Sequence, residues 1–250
     1  MNALLAEYQE NTQHVIDAFP QASGDWLLNQ RQTALKHFSQ IGFPHPHLEA
    51  WRYTNVEGLL KQKFITPVDE FQFSQFDVRQ QFIQQPVAAR LVFVDGIYQA
   101  DMSHCSHEGV SIDSLNTLMS LGDLKVLKAV GALSGLGEDG FAALNLASFR
   151  DGSVVRVKAD VKLDSPIELL HLTTGHMAGC RLSTRHLILL EAGAKAELIE
   201  RCQPLTEEVC SFNHLLYEVS LAEGSELNHQ RVQQESRSTY HLSDLYVSIN

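Results

Sequence analysis

Glu191-Ala192-Gly193-Ala194-Lys195-Ala196 and, further on, Ala222-Glu223-Gly224-Ser225-Glu226-Leu227 decide how this chain folds. The two runs lie about 31 residues apart, a separation within the range of stacked repeats. Each is a small-residue corner between two apolar strands, and such a corner lets the chain bend and lay the next strand on an earlier coil. Working outward, short apolar strands recur from Asp151-Gly152 onward: Val154–Lys158, Ile167–Leu172, His186–Leu190, Ala196–Glu200, Leu215–Leu221, Leu227–Val232 and His241–Ile249. Little between them reads as helix. After Gly152 no Asn-Gly or similar hairpin dipeptide joins them, so a right-handed parallel β-helix is favoured over an antiparallel sandwich. Val155, Ile167, Ile188, Leu198 and Val219 are expected to stack in its core, each contributing roughly 1.5–3 kcal/mol on burial.

The first part of the chain has a helical grammar. Leu4, Leu5, Tyr8, Val15, Ile16 and Phe19 fall at three- and four-residue spacings that predict a helix ending at Pro20. A second is predicted from Asp25, a suitable N-cap, with Leu28, Leu35, Phe38 and Ile41 on its buried stripe and an exit at Gly42 and Pro44. Short helices are predicted near Asn55–Lys61 and Ser74–Gln84. In Arg90–Gln99, Asp95-Gly96 sits between apolar runs and predicts a tight hairpin, because both turn positions need positive φ. Ser111–Leu121, Asp123–Leu133 and Phe141–Ser148 read as helices. The expected architecture is therefore mainly β with an N-terminal α-helical domain: residues 1–88 helical, 89–150 a hairpin and helical transition, and 151–250 the first part of the β-helix. The last strand, with Leu245, Val247 and Ile249 on one face, has nothing after it to cap a solenoid. This suggests an incomplete β-helix or an end hidden against another subunit, as in a homodimer.

Bulk composition narrows the function. A formal charge of −11 argues against nucleic acid, whose phosphates need a basic face. No apolar run approaches a membrane span, and Met1–Glu7 lacks the features of a signal peptide. Cys105, Cys180, Cys202 and Cys210 form no C-x-x-C pair, which suits reduced thiols and a cytoplasmic location.

Each motif has a plainer alternative. Glu49-Ala50-Trp51-Arg52-Tyr53-Thr54 follows the breaker Pro44-His45-Pro46-His47 and reads as an aromatic clasp pinning a loop to the domain body, with Arg52 stacked on the aromatics or forked onto Glu49. Gly135-Leu136-Gly137-Glu138-Asp139-Gly140 matches G-x-G-x-x-G, with Asp160 at the spacing that motif expects. A helix precedes it rather than a strand, and its acids stand where phosphate would bind, so the match reads as chance. His104-Cys105-Ser106-His107 lacks the further ligands of a closed zinc site; His45 and His47 read as loop residues. Stacking can bring together some of Cys180, Cys202, His214, His229 and His241, although buried cysteines are commonly core residues. No nucleophile elbow, H-E-x-x-H or P-loop is present. The expectation is a non-catalytic chain with no catalytic, cofactor-binding or metal residue assigned.

The clasp segment is similar to the E-E-W-R-Y-T signature of the SufB/SufD family of iron–sulfur cluster assembly proteins, with Ala50 in place of its second acid. Leu91-Val92-Phe93-Val94-Asp95-Gly96 resembles that family's next segment. Ala143-Leu144-Asn145-Leu146-Ala147 followed by Asp151-Gly152 resembles the start of its strand domain. The helical first region matches the SufD branch. The resemblance implies a helical domain, a right-handed parallel β-helix and a further C-terminal helical domain. It also implies pairing with a SufB-like subunit and docking of a SufC-like ATPase through a C-terminal portion lying beyond these residues. The iron–sulfur cluster would be assembled by the whole complex, with this subunit linked to iron supply and no cofactor bound by this chain alone. A polysaccharide-active β-helix enzyme is the alternative, and a nucleotide-binding oxidoreductase a more distant one.

Overall fold

The computed structural model describes residues 2–18, 24–68, 71–137, 139–205 and 208–250. Helices α1 (Asn2–Ala18) and α2 (Gly24–Ile41) take up the three- and four-residue spacings. The expected end of α1 at Phe19-Pro20 and the side chain of Asp25 lie outside the described residues. α2 stops as anticipated: Gly42 has φ of 72° and its N–H donates to the Phe38 carbonyl at 2.8 Å. The buried stripe differs from the sequence reading. Leu27, Ala34, Leu35 and Phe38 are buried and Leu28 half-buried, while Ile41 is exposed. Phe43 turns in after Gly42 and fills that place, its ring 5.0 Å from Tyr8, 5.2 Å from Phe38 and 5.7 Å from Phe141.

A 3₁₀ turn at Glu49–Trp51, α3 (Glu57–Leu60) and α4 (Gln75–Gln80) follow. Ser74 caps α4 through Asp77 N–H at 3.3 Å. α4 is shorter than the predicted Ser74–Gln84 because the next residues serve the sheet: Ile83 N–H donates to Glu168 at 3.2 Å and its carbonyl accepts from Arg90 at 3.1 Å. β1 (Ala89–Val94) and β2 (Ile97–Tyr98) form the predicted hairpin, with φ of 52° at Asp95 and 77° at Gly96. β3 (His104–Cys105) also pairs with β1.

The predicted helix over Ser111–Leu121 is corrected in its first half. Val110–Ser114 is a strand, β4, antiparallel to residues 153–157, with Val110 and Ile112 turned to the core. Helix α5 (Leu115–Ser120) begins only after Ser114, whose hydroxyl accepts from Thr117 N–H at 3.1 Å. α6 (Leu124–Ala129) ends short of Leu133, since Val130 is extended and Gly131 has φ of 77°. α7 (Gly140–Ser148) is buried along its whole length.

From Asp151 every one of the seven expected strands is present: β5 (Asp151–Val157), β6 (Ile167–Thr173), β7 (Arg181–Leu190), β8 (Lys195–Pro204), β9 (Phe212–Leu221), β10 (Glu226–Gln233) and β11 (Tyr240–Ile249). They alternate between two sheets. One has the order β10-β8-β6-β1, the other β11-β9-β7-β5, and all these pairs are parallel. Ile167 lies beside Leu198, Lys195 beside Glu226 and Arg181 beside Phe212, the same 31-residue step each time. The molecule is thus a parallel β-solenoid rather than a sandwich of hairpins. Its repeated corner stacks as the sequence echo implied: Gly193 and Gly224 have φ of 69° and 67°, and Gly193 N–H donates to the Glu223 carbonyl at 2.9 Å. Val155, Ile167, Ile188, Leu198 and Val219 all lie in the core between the sheets, with Leu91, Phe93, Leu169 and Tyr217.

Both outer faces carry a cover. α7 lies on the outer face of β7 and β9, with α2 and α1 beyond it. A Cβ on Gly140 would come within 1.9 Å of the Gly42 carbonyl oxygen, so only glycine lets α7 approach the end of α2 this closely. On the other sheet, Val78, Phe73 and Phe82 pack over Val92, Val94, Leu170 and Leu172.

Candidate functional site

The side-chain alternation that buries Leu198 also turns Glu200 and Cys202 inward, because successive residues of a strand point to opposite faces. The same parity brings His171 in after Ile167 and Leu169, and His186 before Ile188. The space between the sheets therefore holds a line of polar groups continuous with the apolar stack. Glu200 is fully buried. It accepts from His229 Nε2 at 2.8 Å and Arg231 Nε at 2.9 Å, and Cys202 Sγ lies 3.5 Å from its other oxygen. Burial alone would raise the pKa of Glu200. The His229 hydrogen bond and the Arg231 charge outweigh that and hold it below the usual carboxylate range, so a buried anion sits inside the solenoid.

Its neighbours respond to the same low-dielectric setting. Burial, then the Glu200 and Glu235 charges, push the Cys202 thiol well up, and burial followed by Glu200 does the same to Tyr217. Burial lowers His171 to about 4 and puts His186 well below its ordinary value, keeping both rings neutral. His186 is satisfied by Ser153 at 2.9 Å and Thr184 at 3.0 Å, and stacks on Tyr217. His171 stacks on Phe93 at 5.1 Å, but its Nε2 is buried without a partner among the described residues.

Where β10 passes into β11, Glu235 joins this interior. Its carboxylate accepts from Asn213 at 2.7 Å and Gln233 at 2.9 Å, and meets His241 Nδ1 at 2.8 Å. Burial opposes its ionisation, and the His241 contact more than offsets it, leaving the pKa lowered. One ligand atom each from Cys202, Glu235 and His241 lie within 4.8 Å of one another. A cavity of about 20 Å³ beside them is lined by His171, Thr173, Asn213 and Glu235, among others.

The other sequence candidates are placed apart. His229 joins Glu200 inside. His214 faces outward beneath α7, stacked on Phe212 and 2.8 Å from Asp244. Cys180 sits in a small apolar group with Met177 and Leu182. Cys105 points at the backbone carbonyls of Ala88, His107 and Val110, and His107 Nδ1 accepts from Gly109 N–H at 3.0 Å, which explains that run locally. His45 and His47 are exposed neighbours. In the glycine run, Asp139 already caps the α7 amides of Phe141 and Ala142, so the helix start that a phosphate would need is taken. Trp51 acts as the clasp, buried 5.6 Å from Phe141. Tyr53 does not: it is 90% exposed, with Arg52 stacked on it at 5.4 Å. Glu235 was not singled out from the sequence. The available signal was the register, since β10 runs beside β8 and carries the chain past Cys202.

Fold and interior together define a parallel β-solenoid carrying a helical layer on one face and buried polar residues between its sheets. A family model described as the SufBD protein N-terminal region matches residues 2–169, and one described as the SUF system FeS cluster assembly SufBD core domain matches residues 172–250. The chain belongs to the SufBD family. It is 24% identical over 231 residues to an iron–sulfur cluster assembly SufBD family protein of Synechocystis, covering 89% of this chain and 51% of that protein. It is 26% identical over 226 residues to the iron–sulfur cluster assembly protein SufD of Escherichia coli, covering 89% and 50%. The chain spans about half the length of these relatives.

Proposed function

We propose that this chain is a non-catalytic scaffold subunit of a cytoplasmic iron–sulfur cluster assembly complex that also contains a SufC-like ATPase, and that it works through contact with a SufB-like subunit. The observation that carries this reading is where the ionisable groups lie. The buried acids Glu168, Glu200 and Glu218 sit between the sheets or under a cover, each held by an arginine. An open cleft of about 420 Å³ beside α1 shows the contrast: it is lined by Glu7, Glu10, His14 and Lys63, of which Lys63 and Glu7 form an exposed pair. The family's role in cluster assembly supplies the biological setting.

A polysaccharide-active solenoid would need acids along an open external groove. Here Glu168 is held by Arg90 at 2.5 Å and Arg201 at 3.1 Å, and Glu218 is buried beneath the helical layer, which disfavours that alternative. Affinity capture of the tagged chain from cells expressing SufB-like and SufC-like proteins tests the proposal. Recovery of the SufB-like subunit supports it, and recovery of neither refutes it.

A further inference from the structure

We infer that Cys202, Glu235 and His241 form a binding site for a divalent cation that favours thiolate and imidazole ligands, of the zinc(II) or iron(II) class. No metal residue is assigned from the sequence, while Cys202 and His241 are among the residues that stacking can bring together. Three different ligand types converge within 4.8 Å, a spread that a single ion contracts when it binds, since ligand distances are about 2.0–2.3 Å. All three are withdrawn from water: Cys202 is 1% exposed, and the Glu235 and His241 side chains 6% and 7%.

Independent observations point to an absent ligand. His241 Nε2, His171 Nε2 and Asn213 Oδ1 are all buried with no hydrogen-bond partner among the described residues. Unpaired buried polar atoms are costly and rare, and a bound species is one way to satisfy them. His171 and Asn213 line the 20 Å³ cavity together with Glu235, room for about one atom-sized guest. His171 also pairs in register with Cys202 on the neighbouring strand, which makes it the candidate fourth ligand.

The ligand set selects the ion by chemistry. A thiolate and imidazole suit zinc(II) and iron(II), whereas calcium and magnesium prefer oxygen alone. The Glu235 carboxylate is already held by Asn213 and Gln233, the kind of outer support that orients metal ligands. Binding breaks the Cys202 S–H bond and forms a metal–sulfur bond, the proton leaving to solvent with no change in oxidation state.

The site stands apart from the scaffold reading, since it needs no partner. Cobalt(II) is the probe: the whole chain, stripped with chelator and reduced, is titrated anaerobically. The expected result is one equivalent bound with a thiolate-to-cobalt charge-transfer band, and release of about one proton per ion at neutral pH. Cys202→Ser abolishes the band, Glu235→Gln and His241→Gln weaken binding at least tenfold, and Cys105→Ser changes nothing. Circular dichroism identifies which variants fold, and any folded one of the first three suffices. Metal analysis of the chain as purified distinguishes zinc from iron. A wild-type chain that gives no band, or a folded Cys202, Glu235 or His241 variant that binds like wild type, overturns the site whatever the partner experiment shows.

Discussion

A Cβ on Gly152 would lie 1.6 Å from the carbonyl oxygen of Arg185, on the strand beside it. Neither backbone can yield without breaking the ladder between β5 and β7. Gly152→Ala should therefore cost at least about 3 kcal/mol, the upper end of overpacking effects, seen as a lower urea midpoint. Gly224 is different: its added Cβ would meet nothing nearer than 3.9 Å, and only its φ of 67° resists substitution. Gly224→Ala should cost about 1–2 kcal/mol, and Gly224→Asn less, since asparagine tolerates the left-handed region. Equal losses at the two glycines would refute this distinction. The sequence marked both positions, one as a corner and the other beside Asp151, but not the reason for either. Only the parallel register brings Arg185 over Gly152.

Between elements, the helical layer is fastened to the solenoid by buried polar contacts as well as apolar packing. Arg185 of β7 pairs with Glu218 of β9 at 2.9 Å and donates to Asn145 of α7 at 3.2 Å. Glu218 also accepts from the amides of Gly131, Leu133 and Ser134, and Asn145 donates to the carbonyls of Thr184 and His214. Removing one member leaves a buried charge alone, so Glu218→Ala should destabilise by about 3–5 kcal/mol. Hydrogen exchange should then quicken first at residues 131–134; unchanged protection there would contradict the assigned role. These contacts were not legible beforehand. Gly131–Gly140 looked like helix punctuation or a nucleotide loop, and a long-range carboxylate leaves no trace in local spacing. The strands were legible for the opposite reason: alternation and small-residue corners are local signals. Val110–Ser114 escaped notice because it is only five residues long and runs directly into the helical spacing of Leu115 and Met119.

Across the whole molecule, the neutral histidines inside the solenoid link stability to pH. His186 has a depressed pKa in the folded chain and about 6.5 when unfolded. Below that value the unfolded chain binds the additional proton, so stability is full above about pH 6.5 and falls as the pH drops toward the folded pKa. His171, lowered to about 4, acts in the same direction. Each contributes up to about 1.4 kcal/mol per pH unit in that window, and urea unfolding of His186→Gln should show a shallower slope there than wild type. An identical slope would remove His186 from the account. The parity of Ile167, Leu198 and Val219 already placed these polar residues inside, yet which of them meet depends on how one coil sits on the next.

The proposed scaffold role requires a lasting complex with a SufB-like subunit. Light scattering after gel filtration of this chain mixed with a SufB-like subunit measures that directly. One species with the combined mass of the two chains is expected; two separate peaks at their individual masses, at concentrations well above those in cells, would contradict it.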